Sequence, residues 1–206
     1  MKRLLFLCTL LTTIGLGHAQ TEAEIDRPLA FETPEALGRQ VLAAFQQGNY
    51  RALKKVSAFT ITQPQMKAIG ESLIEIAKER IKNQEVKNVD ATRAFIDSIR
   101  KDLIHPKGLA KEFIQIQKME PAFQKSFETV RNEAGHLGFK WKESKFLKVD
   151  SSKTEILEEV GLRTGPLYLH FQAKNREYRL HLPNCAKPPK LGWLAGPEPL
   201  KLQPVK

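Results

Sequence analysis

The sequence predicts an α+β domain: N-terminal helices packed on a curved antiparallel sheet of four to five strands in the C-terminal third. Three observations predict it. Apolar residues recur at helical spacing between positions 33 and 135, then alternate with period two from position 140 onward. Within 166–196, Leu167, Leu169 and Phe171 fall on one face, and Tyr168, His170 and Gln172 on the other. After the polar turn Ala173-Lys174-Asn175-Arg176, Tyr178, Leu180 and Leu182 point inward and Arg179 and His181 outward. The two apolar faces match when Phe171 pairs with Tyr178 and Leu169 with Leu180. A slip of one residue would set Phe171 against Arg179.

The helical part reads in order. Thr33 is the expected N-cap of a first helix, with Pro34 at N1, Glu35 at the positive end of the dipole, and a stripe of Leu37, Val41, Ala44 and Phe45. Gly48-Asn49 stops it, and Tyr50, Leu53 and Val56 mark a short second helix. Phe59 and Ile61 alternate with polar or small neighbours as a brief strand would. Thr62 and Gln65 offer a capping box for a helix with Met66, Ile69, Leu73 and Ile81 on one face. Gly70 weakens that helix by about 1 kcal/mol unless close packing requires it. Asp90 is the expected cap of the next helix, which carries Phe95, Ile99 and Leu103 and ends at His105-Pro106. A last helical run carries Phe113, Ile116, Met119, Phe123, Phe127 and Val130, and Pro121 is expected to break or kink it.

Five strands are expected, at 140–149, 154–162, 167–172, 177–182 and 191–195. With Asp150-Ser151-Ser152-Lys153 as the first turn, Val149 faces Thr154 and Leu147 faces Ile156. The same register sets Lys148 against Glu155 and Lys145 against Glu158, two opposite-charge pairs of ~0.2–1 kcal/mol each.

Residues 1–19 read as a cleaved leader. Lys2 and Arg3 precede the apolar run from Leu4 to Leu16, and Gly17-His18-Ala19 supplies small residues before a cut at Gln20. Cys8 lacks the small preceding residue of a lipid-attachment site, since Leu7 stands there. The expected product is exported, periplasmic or extracellular, with a lead at 20–32 and one α+β domain at 33–206 (helical 33–135, β-meander 140–196). An apolar content of 41% supports one core, and no downstream stretch suits a transmembrane helix. Cys185 is the single cysteine beyond the leader, so no internal disulfide forms; it falls in an expected loop at 183–190. The chain carries a formal net charge of +10, to which the leader contributes Lys2 and Arg3. Its basic residues are dispersed, which makes nucleic acid an unfavoured partner.

The run from Thr33-Pro34-Glu35-Ala36 through Val41-Leu42-Ala43-Ala44-Phe45-Gln46-Gln47-Gly48-Asn49-Tyr50 resembles the opening of secreted proteins of the nuclear-transport-factor-2-like superfamily. The close at Gly192-Trp193-Leu194-Ala195-Gly196 is similar to their last strands. The resemblance covers the two ends of the chain, and the helical middle at 63–134 departs from it. It implies a cone-shaped α+β fold with a cavity between helices and sheet, and no particular activity.

In that cavity the expected ligand-binding residues are Trp141, Lys145, Glu158, Tyr178 and Trp193, a charged pair beside aromatics. No GxSxG, HExxH, P-loop or CxxC is present, and no catalytic, cofactor or metal residue is assigned. His170 and His181 share the outer face of the hairpin at ~7–8 Å, without a third ligand placed by sequence, and read as surface histidines. Three functions stay open: an exported, non-enzymatic module binding a small molecule or an envelope component; a cavity enzyme with Glu158 as general base; and a basic surface protein docking on an anionic polymer or lipid.

Overall fold

The computed structural model describes residues 31–205. The expected leader and the lead up to residue 30 lie outside the described residues. Among the described residues, five α-helices precede a five-stranded antiparallel sheet: α1 (Pro34–Gln47), α2 (Tyr50–Lys55), α3 (Gln63–Lys82), α4 (Val89–Ile99), α5 (Pro106–His136), then β1 (Lys145–Asp150), β2 (Glu155–Leu157), β3 (Leu162–Ala173), β4 (Arg176–Ala186) and β5 (Lys201–Pro204). This is the α+β class the periodicities predict.

Local chemistry sets the helix ends. The Ala36 N–H donates to Thr33 Oγ1 at 3.2 Å, and Gly48 closes α1 in the left-handed region. The Thr62–Gln65 box forms in both directions. Gly70 faces a turn of wide π geometry (Arg100–Ile104) that joins α4 to α5. A β-carbon there would lie 2.8 Å from that of Leu103, so close packing does require the glycine.

Three helical expectations need correction. Asn88, not Asp90, caps α4, its Oδ1 accepting the Ala91 N–H at 2.9 Å. Phe59 lies in a 3₁₀ turn (Ala58–Thr60) with Ile61 just after it, and both are buried. Helix α5 runs unbroken through Pro121. That proline sits on the exposed side, while Ile116, Phe123, Phe127 and Val130 anchor the helix on both sides of it. Tertiary burial outweighs the ~3 kcal/mol a mid-helix proline costs.

The hairpin is as the alternation requires, with Phe171 opposite Tyr178, Leu169 opposite Leu180 and His170 opposite Arg179. Lys174 and Asn175 turn it at φ 45° and 60°, the type I′ signature that matches strand twist. The first strand pairing differs from expectation. β1 and β2 do not pair with each other; they lie end to end along the same edge of β3, Val149 opposite Leu169 and Leu157 opposite Leu162. The reversal comes at residues 158–161. Asp150-Ser151-Ser152-Lys153 does turn, with Asp150 Oδ1 accepting the Ser152 N–H at 2.8 Å, but the chain rejoins the edge it left. Gly165 fits this kink. At φ 135° it lies against the Lys153 and Thr154 backbone, where a β-carbon would approach within 3.1 Å. Two ion pairs of ~0.2–1 kcal/mol each do not compete with burying Val149 and Leu157 at ~1.5–3 kcal/mol apiece.

The last strand also lies elsewhere. Residues 191–195 spend their backbone groups on other partners: the Trp193 N–H donates to Phe31 O, Ala195 N–H to Val56 O, and Leu194 exchanges bonds with Ala186. The tail supplies β5 instead, Leu202 opposite Leu180.

Cys185 belongs to β4 rather than a loop and is fully buried, and burial pushes its thiol up to about 12. Native protein is therefore expected to resist iodoacetamide at pH 8 and to label fully once unfolded in urea. Rapid stoichiometric labelling of the native form, read by mass spectrometry, would place this strand wrongly.

Candidate functional site on the outer face of the sheet

The five residues expected to share a cavity do not form one site. Trp141, on a 3₁₀ turn (Trp141–Glu143) leading into β1, is 6% exposed and Tyr178 3%. Both belong to an aromatic cluster that fills the inner face. Phe45 of α1 lies 4.5 Å from Trp141 and 4.6 Å from Phe127 of α5, and Phe171 lies 5.1 Å from Trp141. Phe139 packs 4.7 Å from Tyr178. Trp141 Nε1 and Ser144 Oγ are buried without a hydrogen-bond partner among the described residues.

Trp193, 3% exposed, lies beside the Leu194–Ala186 bridge at the other end of β4 from Tyr178, roughly 25 Å along the strand. Lys145 is exposed opposite Gln172, and Glu158 follows Leu157, which faces Leu162. Some ten residues of β3, roughly 30 Å, separate the two, so the expected Lys145–Glu158 pair is not made. Glu158 instead pairs with Lys87 at 2.5 Å, its side chain 54% exposed. The general-base reading thus loses the buried setting it required.

The opposite face of the sheet has a different character. Inward positions of β3 and β4 are apolar from Leu167 and Tyr178 onward, so the pleat sends Tyr168, His170, Arg179 and His181 outward. Lys148 of β1 lies opposite His170, and Lys201 of β5 opposite His181. At the centre stands Tyr168. His181 stacks on its ring, centroids 4.9 Å apart and 13° from parallel. The Arg179 guanidinium lies 5.1 Å from the ring centre, and Lys153 Nζ, from the β1–β2 turn on the other side, 5.3 Å.

The acids on this face are already engaged. Hydrogen bonds from the Ser152 hydroxyl and then its N–H, with nearby His170 and Lys148, hold the Asp150 carboxyl below the usual range. Glu177 Oε1 accepts from His170 Nδ1 at 2.5 Å. No carboxylate among the described residues lies within salt-bridge distance of Lys148, Lys153, Arg163, Arg179 or Lys201. Burial, then Lys201, Arg179 and Lys153, depress the His181 pKa, so its ring is neutral at pH 7.

Alternation placed Tyr168, His170, Arg179 and His181 outward, but nothing local marked Lys153 and Lys201 as their neighbours. One came in a supposed hairpin turn and the other in a supposed tail. The legible signal was the polarity of the outward set itself, which holds two histidines, an arginine and a tyrosine where a solvated face needs only small polar residues.

No protein-family model matches the chain, and no curated protein or solved structure is significantly similar to it. Among the described residues no group of three or more His, Cys, Asp or Glu is placed to hold a metal ion, and no helix is long and apolar enough to cross a membrane.

Proposed function

We propose that this protein is an exported, non-enzymatic binding module that docks on an acidic envelope polymer through the outer face of its sheet. The observation that carries this reading is the row of lysines and arginines around Tyr168 whose neighbouring carboxylates are committed elsewhere. Charges so arranged raise the local concentration of a polyanion and are neutralised when it binds. Export rests on the leader at 1–19. The similarity of the chain ends to the nuclear-transport-factor-2-like superfamily is compatible with a binding role and selects no ligand. The aromatic filling of the inner face favours a surface over a cavity as the working part.

The test is retention on immobilised heparin across a salt gradient. The mature protein is expected to bind at low salt and to elute progressively as salt screens the contact. Replacing Lys148, Lys153, Arg179 and Lys201 with glutamine should move elution to much lower salt. The same replacement at Lys67, Lys78, Lys111 and Lys125, exposed on the helices, should move it little. Equal shifts from both sets would mean that net charge alone is being read, and the proposed face would fall.

A further inference from the structure

We infer that the recess at the hairpin end of the inner face binds a small monocarboxylic acid with an apolar body, its carboxylate held by Arg176. The site is separate from the docking face and uses a different set of residues.

Three pieces of chain meet there. The pleat of β4 sets Arg176 on the same side as Tyr178, roughly 7 Å further along the strand and past the edge of the aromatic cluster. Pro204 of β5 lies directly opposite Tyr178. Val205 is tied beside it, its N–H donating to Glu177 O at 3.1 Å. Leu137, just after α5, closes the third side, and Gly138 turns the chain there at φ 77°. Leu137, Arg176, Glu177, Tyr178, Pro204 and Val205 line one cavity of about 500 Å³, a volume ordinary for a small-ligand site.

The walls ask for an apolar body. Leu137 is 41% and Val205 37% exposed, two of the five large apolar side chains left so open among the described residues, and the cavity brings them together. A hydrocarbon or aryl group laid between them takes that surface out of water.

The polar contacts ask for one negative charge. Arg176 has no carboxylate within salt-bridge distance among the described residues. Its neighbour Glu177 turns to the outer face, where His170 Nδ1 holds it at 2.5 Å. Lys174, at the hairpin turn, adds a second cation at the rim: its Nζ lies 3.6 Å from where a β-carbon on Gly138 would stand. Tyr178 lines the cavity, and its hydroxyl makes no hydrogen bond among the described residues, which leaves a donor for a ligand oxygen. The carbonyl end of α5, equivalent to roughly half a negative charge, is close by. A guanidinium fork outweighs it for one carboxylate, whereas a phosphomonoester brings a second charge that it does not match.

The experiment titrates octanoate and phenylpropanoate into the protein at neutral pH, followed by calorimetry and by amide NMR. Both acids are expected to bind and to shift the Leu137, Tyr178 and Val205 amides. Phenylpropionamide, neutral and of the same shape, should bind about tenfold more weakly than phenylpropanoate. Arg176→Gln should weaken both acids by about the same factor and leave the urea midpoint unmoved, because this side chain is exposed. Arg176→Lys should recover only part of the loss, because one ammonium lacks the fork. Leu137→Asn should weaken acid and amide alike. Equal binding of acid and amide, or no loss in Arg176→Gln, overturns the site, as does a failure of both acids to shift those three amides. Tighter binding of phenyl phosphate overturns the choice of a single carboxylate, and tighter binding of a peptide ending in leucine overturns that of a small molecule.

Discussion

Truncating Phe171 to alanine is expected to destabilise the fold by about 3–5 kcal/mol, seen as a large drop in the urea midpoint with an unchanged slope. Phe171 is fully buried in the middle of the inner face. Its ring meets Trp141 at 5.1 Å, Tyr178 at 5.8 Å and Phe139 at 5.9 Å. These neighbours cannot close the gap easily. Tyr178 is fixed by the ladder directly opposite, Trp141 by the turn into β1, and Phe139 by the chain leaving α5. The void would therefore persist and lose dispersion contacts on every side. Phe146→Ala, on the half-buried edge where Arg39 covers the ring at 4.0 Å, is expected to cost far less. A Phe171→Ala protein within about 1 kcal/mol of wild type would mean the inner face is not filled as described. A cavity there would then return as the working part of the molecule.

That residue also shows what was legible in the sequence. The hairpin register followed from alternation alone, because a one-residue slip exchanges every inward and outward side chain of both strands. Its tight polar turn left no other solution. The pairing of β1 was not legible by the same means. Lys148–Glu155 and Lys145–Glu158 were weak electrostatic clues, and Asp150-Ser151-Ser152-Lys153 carries real turn chemistry that here makes a kink instead of a reversal. Deciding between them needed the inward residues Val149 and Leu157 to be matched across strands distant in sequence. The fifth strand failed for a related reason. Leu202 and Gln203 look like any tail until Leu180 and Arg179 are seen to offer a free edge. The candidate site inherited both errors, because Lys145 and Glu158 were brought together only by the wrong register. The outer face was hidden by the opposite habit, reading outward polar residues one at a time as solvated.

Replacing Glu112 with glutamine is expected to stabilise the protein by about 2–3 kcal/mol at pH 8 and to leave it nearly unchanged at pH 4. Glu112 of α5 is 6% exposed, and its Oε2 has no hydrogen-bond partner among the described residues. Burial first, and then the Asp102 carboxylate on the π turn, push its pKa up from 4.5 to about 7, while Lys111 pulls weakly the other way. The sign follows from proton counting. Below pH 4.5 folded and unfolded chains both hold the proton, and Glu112 carries no penalty. As pH rises toward 7 the unfolded chain releases the proton while the folded chain keeps it, so stability falls. Above pH 7 the folded chain must hold a buried charge and the loss is complete. Glutamine keeps the shape and never ionises, so urea titrations of the two proteins should diverge across pH 4.5–7 and run parallel above it. Curves that stay parallel throughout would mean Glu112 is solvated in the native state. Asp102→Asn tests the second cause separately. Removing that carboxylate should end the fall of stability at a lower pH without abolishing it, because burial, the larger cause, remains.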